Sequence, residues 1–179
     1  MQVSHGALLA IAEISLALIE TNDTYIITLY HKNTSSILAP IVSNLSPKSL
    51  TTFGSEHVRE AACHLVTNLS KTQLKIDQTY LKDWKKLVHT SLERKEESVQ
   101  AFAVLAFGST AHSYGLQNEE IEQALKNIDT QHPNYYSRRG YGLALGTIDY
   151  HQHLDWLHKV ITQLCKSSQI QVGSFKKKR

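Results

Sequence analysis

Three histidines in the segment DYHQHLDWLHK are the strongest candidates for metal ligands in this sequence. His151 and His153 stand two positions apart, and His158 follows five positions later. Residues two apart on a helix point to different faces, so the first pair could share a metal only from a loop. Because the segment lacks a third ligand at a usual spacing for zinc, we expect no metal site.

The string YYSRRGYGLALGTI, residues 135 to 148, holds glycines that could cradle a ligand. Gly140, Gly142 and Gly146 interrupt an apolar helical pattern, and each costs a helix about 1 kcal/mol relative to alanine. A phosphate-binding loop needs a strand before its glycines and a helix after them, whereas these glycines lie inside the helical pattern. We therefore expect them to permit close packing of neighbouring helices.

Four other polar residues are expected to have structural roles. His57 and His64 lie on one helix face, which is typical of a solvated rim. Arg138 and Arg139 begin a helix and are expected to bond to neighbouring turns rather than to phosphate. The sequence contains no Walker A, GxSxG, HExxH or CxxC motif. It therefore predicts a protein that is not an enzyme, with no catalytic, cofactor-binding or metal-binding residues and no cofactor.

Composition and charge limit the class of protein. The chain has 179 residues, of which 41% are hydrophobic and 20% are charged, as expected for one globular domain. The net charge is +3, and the final KKKR supplies four basic residues, so the remainder is nearly neutral. Nucleic acid is therefore not an expected partner.

The cysteines and the first apolar run indicate the compartment. Cys63 and Cys165 lie on apolar helical faces, which is not a disulfide framework and favours a reducing compartment. The apolar run from Ala7 to Ile19 has no basic residues before it, is interrupted by Glu13 and Ser15, and is too short to cross a bilayer. We expect a cytoplasmic protein without a membrane partner.

Apolar residues at three- and four-residue spacing predict helices over most of the chain. The predicted helices are 4–20, 35–46, 55–70, 78–92, 96–113, 118–128, 136–148 and 151–166. Ser55 is the expected N-cap of the helix 55–70, and Asn118 that of the helix 118–128. Residues 20–36 are the least helical region, and the strand-like run 25–30 inside it is interpreted as a loop or a helix extension. Residues 167–179 show no helical pattern.

Two apolar segments indicate an internal repeat. HGALLAIAEI (5–14) matches RGYGLALGTI (139–148) in the order of its small and apolar residues. Small residues in two further helices, Ala61 and Ala101, recur at intervals of 40 and then 39, the last ending at Gly140. A period near 40 with two helices per unit is typical of HEAT and armadillo arrays.

The sequence therefore predicts an all-α fold, a HEAT/armadillo-like solenoid of stacked antiparallel helix pairs. We expect about four helix pairs over residues 1–166, followed by a basic, disordered tail over 167–179. Each helix of such an array has neighbours on two sides, so small residues allow close approach. Burial of Leu143, Leu145 and Ile148, about 1.5 to 3 kcal/mol each, would offset the helix propensity that the glycines lose.

The first predicted helix is apolar on more than one face. One stripe, which can face a hairpin partner, consists of Leu8, Ile11, Ala12, Ser15 and Ile19. Leu9, Leu16 and Ala17 lie on another side, where no earlier repeat covers them. We expect an exposed apolar patch there through which the chain self-associates.

Five helical segments carry a resemblance to a known family. They are HGALLAIAEISLAL (5–18), REAACHLVTNLS (59–70), LKDWKKLVHTSL (81–92), VQAFAVLAF (99–107) and RRGYGLALGTI (138–148). In order and spacing they resemble the middle to late part of tubulin-specific chaperone D, also called tubulin folding cofactor D, a family of long HEAT-repeat proteins. The resemblance covers about residues 4–165. Because that family's chains are several times longer, we expect a fragment or a short isoform.

The resemblance implies a role in making and dismantling tubulin heterodimers. Members of that family bind β-tubulin, join other tubulin folding cofactors and α-tubulin in a larger complex, and associate with an Arf-like small GTPase. The complex stimulates GTP hydrolysis by tubulin, so the implied GTPase-activating role needs no catalytic motif in this chain. The implied location is the cytoplasm, in association with the cytoskeleton.

A second interpretation remains open: a generic HEAT-repeat scaffold for protein–protein interaction, of the transport-receptor or phosphatase-subunit type. A transport receptor would be expected to have an acidic inner groove, whereas the helices here carry mixed charge, which favours the tubulin cofactor. The residues that contact a partner are not predicted, because interface positions on a solenoid follow no fixed motif.

Overall fold

The computed structural model describes residues 2–21, 23–129 and 131–174, and the regular structure in these ranges is entirely helical. This confirms the predicted all-α class. The α-helices are α1 Gln2–Glu20, α2 Thr24–Leu38, α3 Pro47–Thr51, α4 Ser55–Lys71, α5 Gln78–Leu92, α6 Glu97–Tyr114, α7 Asn118–Asn127, α8 Tyr135–Leu145 and α9 Leu154–Ser174. Short 3-10 helices cover Ala39–Ile41 and Tyr150–Gln152.

Four helices, α1, α4, α6 and α8, lie side by side in that order, and we call them the central row. Within it α1 packs on α4, α4 on α6 and α6 on α8. Outside the row, α2 packs on α1, α5 on α6, α7 on α8 and α9 on α7. One buried apolar cluster extends from Leu8 in α1 to Val160 in α9, so the helices share a continuous core.

Helix α5 has the predicted bounds, 78–92, and shows how the sequence specifies its elements. Asp77 caps its start by accepting a hydrogen bond from the Thr79 N–H at 2.9 Å. Its buried side chains at helical spacing are Leu81, Trp84, Leu87, Val88, Ser91 and Leu92. The Trp84 indole N–H donates to the Ala39 carbonyl at 3.0 Å, so the buried ring also fixes the 3-10 turn after α2.

The region between α1 and α4 differs from the prediction. Residues 20–36 were interpreted as the least helical region, and the run 25–30 as a loop or a helix extension. Instead α2 is a separate helix, whose N-cap Asp23 accepts two backbone N–H bonds at 2.9 and 3.2 Å. The predicted helix 35–46 is wrong. Pro40 lies in the first turn of a 3-10 helix that follows α2, where its missing N–H costs no hydrogen bond.

Both predicted N-caps are shifted by one residue. Gly54, with a φ of 79°, is the N-cap of α4, and Ser55 is buried inside the helix. Gln117 is the N-cap of α7 and forms a capping box with Glu120, so Asn118 is already helical. Glycine suits the N-cap of α4 because a side chain at Gly54 would strain its left-handed backbone.

The C-terminal helices also have different bounds from those predicted. Helix α8 ends at Leu145, and Gly146 is its C-cap rather than an interior residue. Helix α9 continues to Ser174, beyond the predicted end at residue 166. Residues 175–179, which include the KKKR sequence, lie outside the described residues.

The apolar faces of α1 are arranged differently from the prediction. Leu8, Ala12 and Ser15 are buried as expected. Leu9 and Leu16 are half-buried, so the expectation that both lie uncovered is wrong. The exposed apolar side of α1 consists of Ala7, Ala10, Ile14 and Ala17, and Ile14 is 60% exposed.

Candidate functional site

The histidines of the DYHQHLDWLHK segment do not converge. His151 is exposed and contacts Asp149, two residues before it, while His158 is exposed on α9. Hydrogen bonds from the His151 backbone and ring hold the pKa of Asp149 below its usual value. Within residues 2–21, 23–129 and 131–174, no group of three or more His, Cys, Asp or Glu side chains could hold a metal.

Gly140 is the glycine that close packing requires. A Cβ at this position would overlap the Leu92 carbonyl oxygen and lie 2.8 Å from the carbonyl carbon, so no side chain fits between α8 and the end of α5. The packing interpretation is therefore correct for Gly140. Its structural role leaves no space there for a ligand.

The other two glycines of the string do not need to be small in the same way. A Cβ on Gly142 would have its nearest contact at 3.9 Å, which is ordinary van der Waals distance. Gly146 caps α8 and would meet only the Leu143 carbonyl, at 3.2 Å. Gly108 in α6 is also closely packed, although its sequence context does not mark it: a Cβ there would lie 2.8 Å from Thr147.

A buried glutamine completes the junction around Gly140. Gln100 of α6 is 1% exposed, and its amide nitrogen lies 2.7 Å from the carbonyl oxygens of Leu92, Arg94 and Tyr136. Its amide oxygen accepts a hydrogen bond from Arg139 Nε at 2.7 Å. One side chain therefore joins the end of α5 and the start of α8 to α6.

Both arginines at the start of α8 bond to protein groups. Arg138 donates to the His132 carbonyl in the preceding turn, as predicted. Arg139 instead reaches across to Gln100 and Glu97 of α6. These contacts use the guanidinium groups to join elements of the fold.

The solvent side of the central row is connected from helix to helix by polar side chains. His64 Nε2 of α4 lies 2.5 Å from a Glu13 carboxylate oxygen of α1. Ser98 of α6 donates to Glu60 of α4, and Arg139 of α8 pairs with Glu97 of α6. Each neighbouring pair of row helices thus has a polar contact at the surface.

Two leucines add apolar area to the same side. Leu105 follows Ser98 by two helical turns and is 55% exposed. Leu143 follows Arg139 by one turn and is 54% exposed, so the prediction that it is buried is wrong. We call this surface the row face and define it by Glu13, Glu60, His64, Glu97, Ser98, Leu105, Arg139 and Leu143.

The row face can bind a protein surface through mixed charges around apolar centres. Its residues come from four helices spread over the chain, and no local motif marks them. Cys63 of α4 is fully buried, and this burial raises the pKa of its thiol to about 12.

Comparisons with known proteins do not identify a family. The chain matches no family model, and it has no significant match among the curated proteins or the solved structures. In the described part of the chain, every helix is too short or too polar to traverse a bilayer.

Proposed function

We propose that this chain is a tubulin-folding cofactor module of the tubulin-specific chaperone D type. In this proposal it binds β-tubulin and other tubulin folding cofactors during the assembly and disassembly of tubulin heterodimers. An Arf-like small GTPase is a further partner, and the assembled complex provides the GTPase-activating role. The chain acts in the cytoplasm, in association with the cytoskeleton.

One observation carries the proposal: the segments that resemble the family belong to helices that pack on each other. Four of the five lie in α1, α4, α6 and α8, which are the members of the central row, and the fifth lies in α5, which packs on α6. The segments that resemble the family therefore belong to one group of packed helices, as a shared fold requires.

We further propose that the helices form a HEAT-like array. Apart from the short helix α3, which packs on α4, row helices alternate along the chain with α2, α5, α7 and α9, which lie outside the row. Such alternation supports two layers, with one helix of each repeat in each layer. The row face is then the surface of one layer, and we propose it as the surface that contacts tubulin.

A binding experiment with purified tubulin tests this proposal. The full chain, the row-face variant Leu105→Lys/Leu143→Lys and the control variant Leu154→Lys/Ile161→Lys are immobilised separately. All four leucine and isoleucine side chains are more than half exposed, so the two variants are matched in exposure and charge change. We expect the wild type and the control to retain tubulin and the row-face variant to lose it.

Two results would contradict the proposal in different ways. Tubulin retention by the row-face variant would place the contact elsewhere on the chain. Failure of the wild type to retain either tubulin or other tubulin folding cofactors, together with capture of unrelated proteins from an extract, would favour the generic HEAT scaffold.

A further inference from the structure

A basic groove lies on the side of the molecule formed by α2 and the end of α4. It has a volume of about 660 Å³ and is lined by Lys32 and His31 of α2 and by Lys71 and Lys75 at and after the end of α4. We call it the lysine groove. The described residues that line it include no Asp or Glu, whereas the groove between α7 and α9 includes Asp129.

The three lysines are not used by the fold. Among the described residues, no carboxylate forms an ion pair with Lys32, Lys71 or Lys75. The acidic residues close to them in sequence have other roles, because Asp23 caps α2 and Asp77 caps α5. The positive charge of the groove is therefore not neutralised by these neighbours.

Two carbonyl groups at the end of α4 accept hydrogen bonds from groups other than the lysines. The Leu69 carbonyl accepts a hydrogen bond from the Thr72 hydroxyl at 2.7 Å. The Ser70 carbonyl accepts from the Gln73 N–H at 2.9 Å and from the Ser113 hydroxyl at 2.7 Å. These interactions occupy two of the four carbonyl groups that a helix end leaves open.

We propose that the lysine groove binds an acidic segment of a protein partner, rich in glutamate or aspartate. Flexible lysine ammonium groups can pair with carboxylates that are spaced along a peptide. Ile27 provides apolar surface for the methylene groups of the peptide's acidic side chains. Among the described residues that line the groove there is no arginine fork for phosphate and one ring, that of His31, which forms a T-shaped contact with Tyr30 with centroids 5.6 Å apart. Proteins that bind single strands stack successive bases on several aromatic rings, whereas the described lining of the groove contains this single imidazole.

Fluorescence anisotropy with a labelled oligo-glutamate peptide tests the proposal on the full chain. The variant is Lys32→Gln/Lys71→Gln/Lys75→Gln. The control is Lys82→Gln/Lys86→Gln/Lys95→Gln, which removes the same charge from exposed positions elsewhere. We expect the groove variant to weaken binding about tenfold or more and the control to have little effect, with binding that weakens as salt rises.

Each other outcome overturns the proposal. Equal weakening by both variants would mean that net charge alone attracts the peptide. Equal binding of a labelled oligo-glutamine peptide would exclude recognition of carboxylates. Tighter binding of a single-stranded RNA, lost in the groove variant, would assign the groove to nucleic acid. Circular dichroism of both variants checks that they remain folded. None of these results depends on whether the row face binds tubulin.

Discussion

The middle of the central row and the α1–α2 end of the molecule pack in different ways. Helix α4 lies between α1 and α6, and its buried residues extend around most of its surface, from Ser55 to Ser70. Helix α2 packs mainly on α1 and the following 3-10 turn, and it leaves Tyr25, Leu29 and Ile37 exposed. The difference shows where this sequence is constrained by neighbours on two sides and where it is not.

The largest expected effect is at Gly140, where α8 of the row lies closest to α5. Gly140→Leu should destabilise the protein by about 3 kcal/mol or more, because the new side chain would overlap the backbone of Leu92 and force α8 away from α5. Urea unfolding followed by circular dichroism measures the change. The matched control is Gly142→Ala, which should be neutral or slightly stabilising because its Cβ has space. Equal losses in both variants would contradict the comparison.

Gln100→Leu should have the next largest effect. The change removes the hydrogen bonds to the buried carbonyl groups of Leu92 and Tyr136 and the acceptor for Arg139, at a cost of about 2 to 3 kcal/mol. Urea unfolding gives the difference in free energy. Gln123→Leu, at an exposed position of α7, is the control and should stay within about 0.5 kcal/mol of wild type. A neutral result at Gln100 would mean that the junction depends on shape alone.

Acidification should also weaken the packing of α5 against α6 and α8, where His89 contacts Phe107 and Tyr141. Burial, with a contribution from Lys85, lowers the pKa of His89 from its usual 6.5, while Glu120 opposes the shift. Because the unfolded chain then binds a proton more readily than the folded chain, this contribution is present above pH 6.5 and is lost as the pH falls through the folded-state pKa. Melting temperatures measured from pH 8 to about pH 5 should therefore fall less in His89→Phe than in wild type.

The His89 prediction has a control in the same type of residue. His158 is exposed on α9, so His158→Gln should keep the wild-type pH dependence. His89→Phe also removes the hydrogen bond to the Tyr141 hydroxyl, which is 2.9 Å long. The test is therefore how steeply the melting temperature changes with pH, not the melting temperature at one pH. An unchanged slope would show that His89 does not titrate differently in the folded protein.

The comparison also explains which elements the sequence could predict. Helices α5 and α6 bury regular apolar stripes, and the predicted bounds are within one residue of those observed. In α2, the exposed Tyr25 and Ile37 break the stripe, so periodicity indicated no separate helix. The predicted end of α8 was wrong because Ile148, three residues after Leu145, continues the apolar helical spacing past Gly146, although the helix ends at Leu145.

The row face could not be predicted from the sequence for a different reason. Its contacts join Glu13 to His64 and Glu60 to Ser98, pairs that are 51 and 38 positions apart. No local spacing records such pairs. The glycine string did locate one junction of the row, because a glycine inside an apolar helix has a cost that only close packing or ligand binding explains.

The smallest expected change in stability is at the exposed side of α1. Ile14 is 60% exposed, so Ile14→Lys should leave the free energy of unfolding within about 0.5 kcal/mol of wild type. Leu9 packs partly against the core, so Leu9→Lys should destabilise the protein, because its charge would approach the apolar cluster.

If the exposed apolar stripe of Ala7, Ala10, Ile14 and Ala17 mediates self-association, light scattering should show smaller assemblies for Ile14→Lys than for wild type. Exposed Leu154 lies outside that stripe, so Leu154→Lys should not change the assemblies. A wild-type chain that remains monomeric at high concentration would show that the exposed side of α1 does not mediate self-association. The α1 end would then resemble the polar caps of helical arrays more than an open repeat surface.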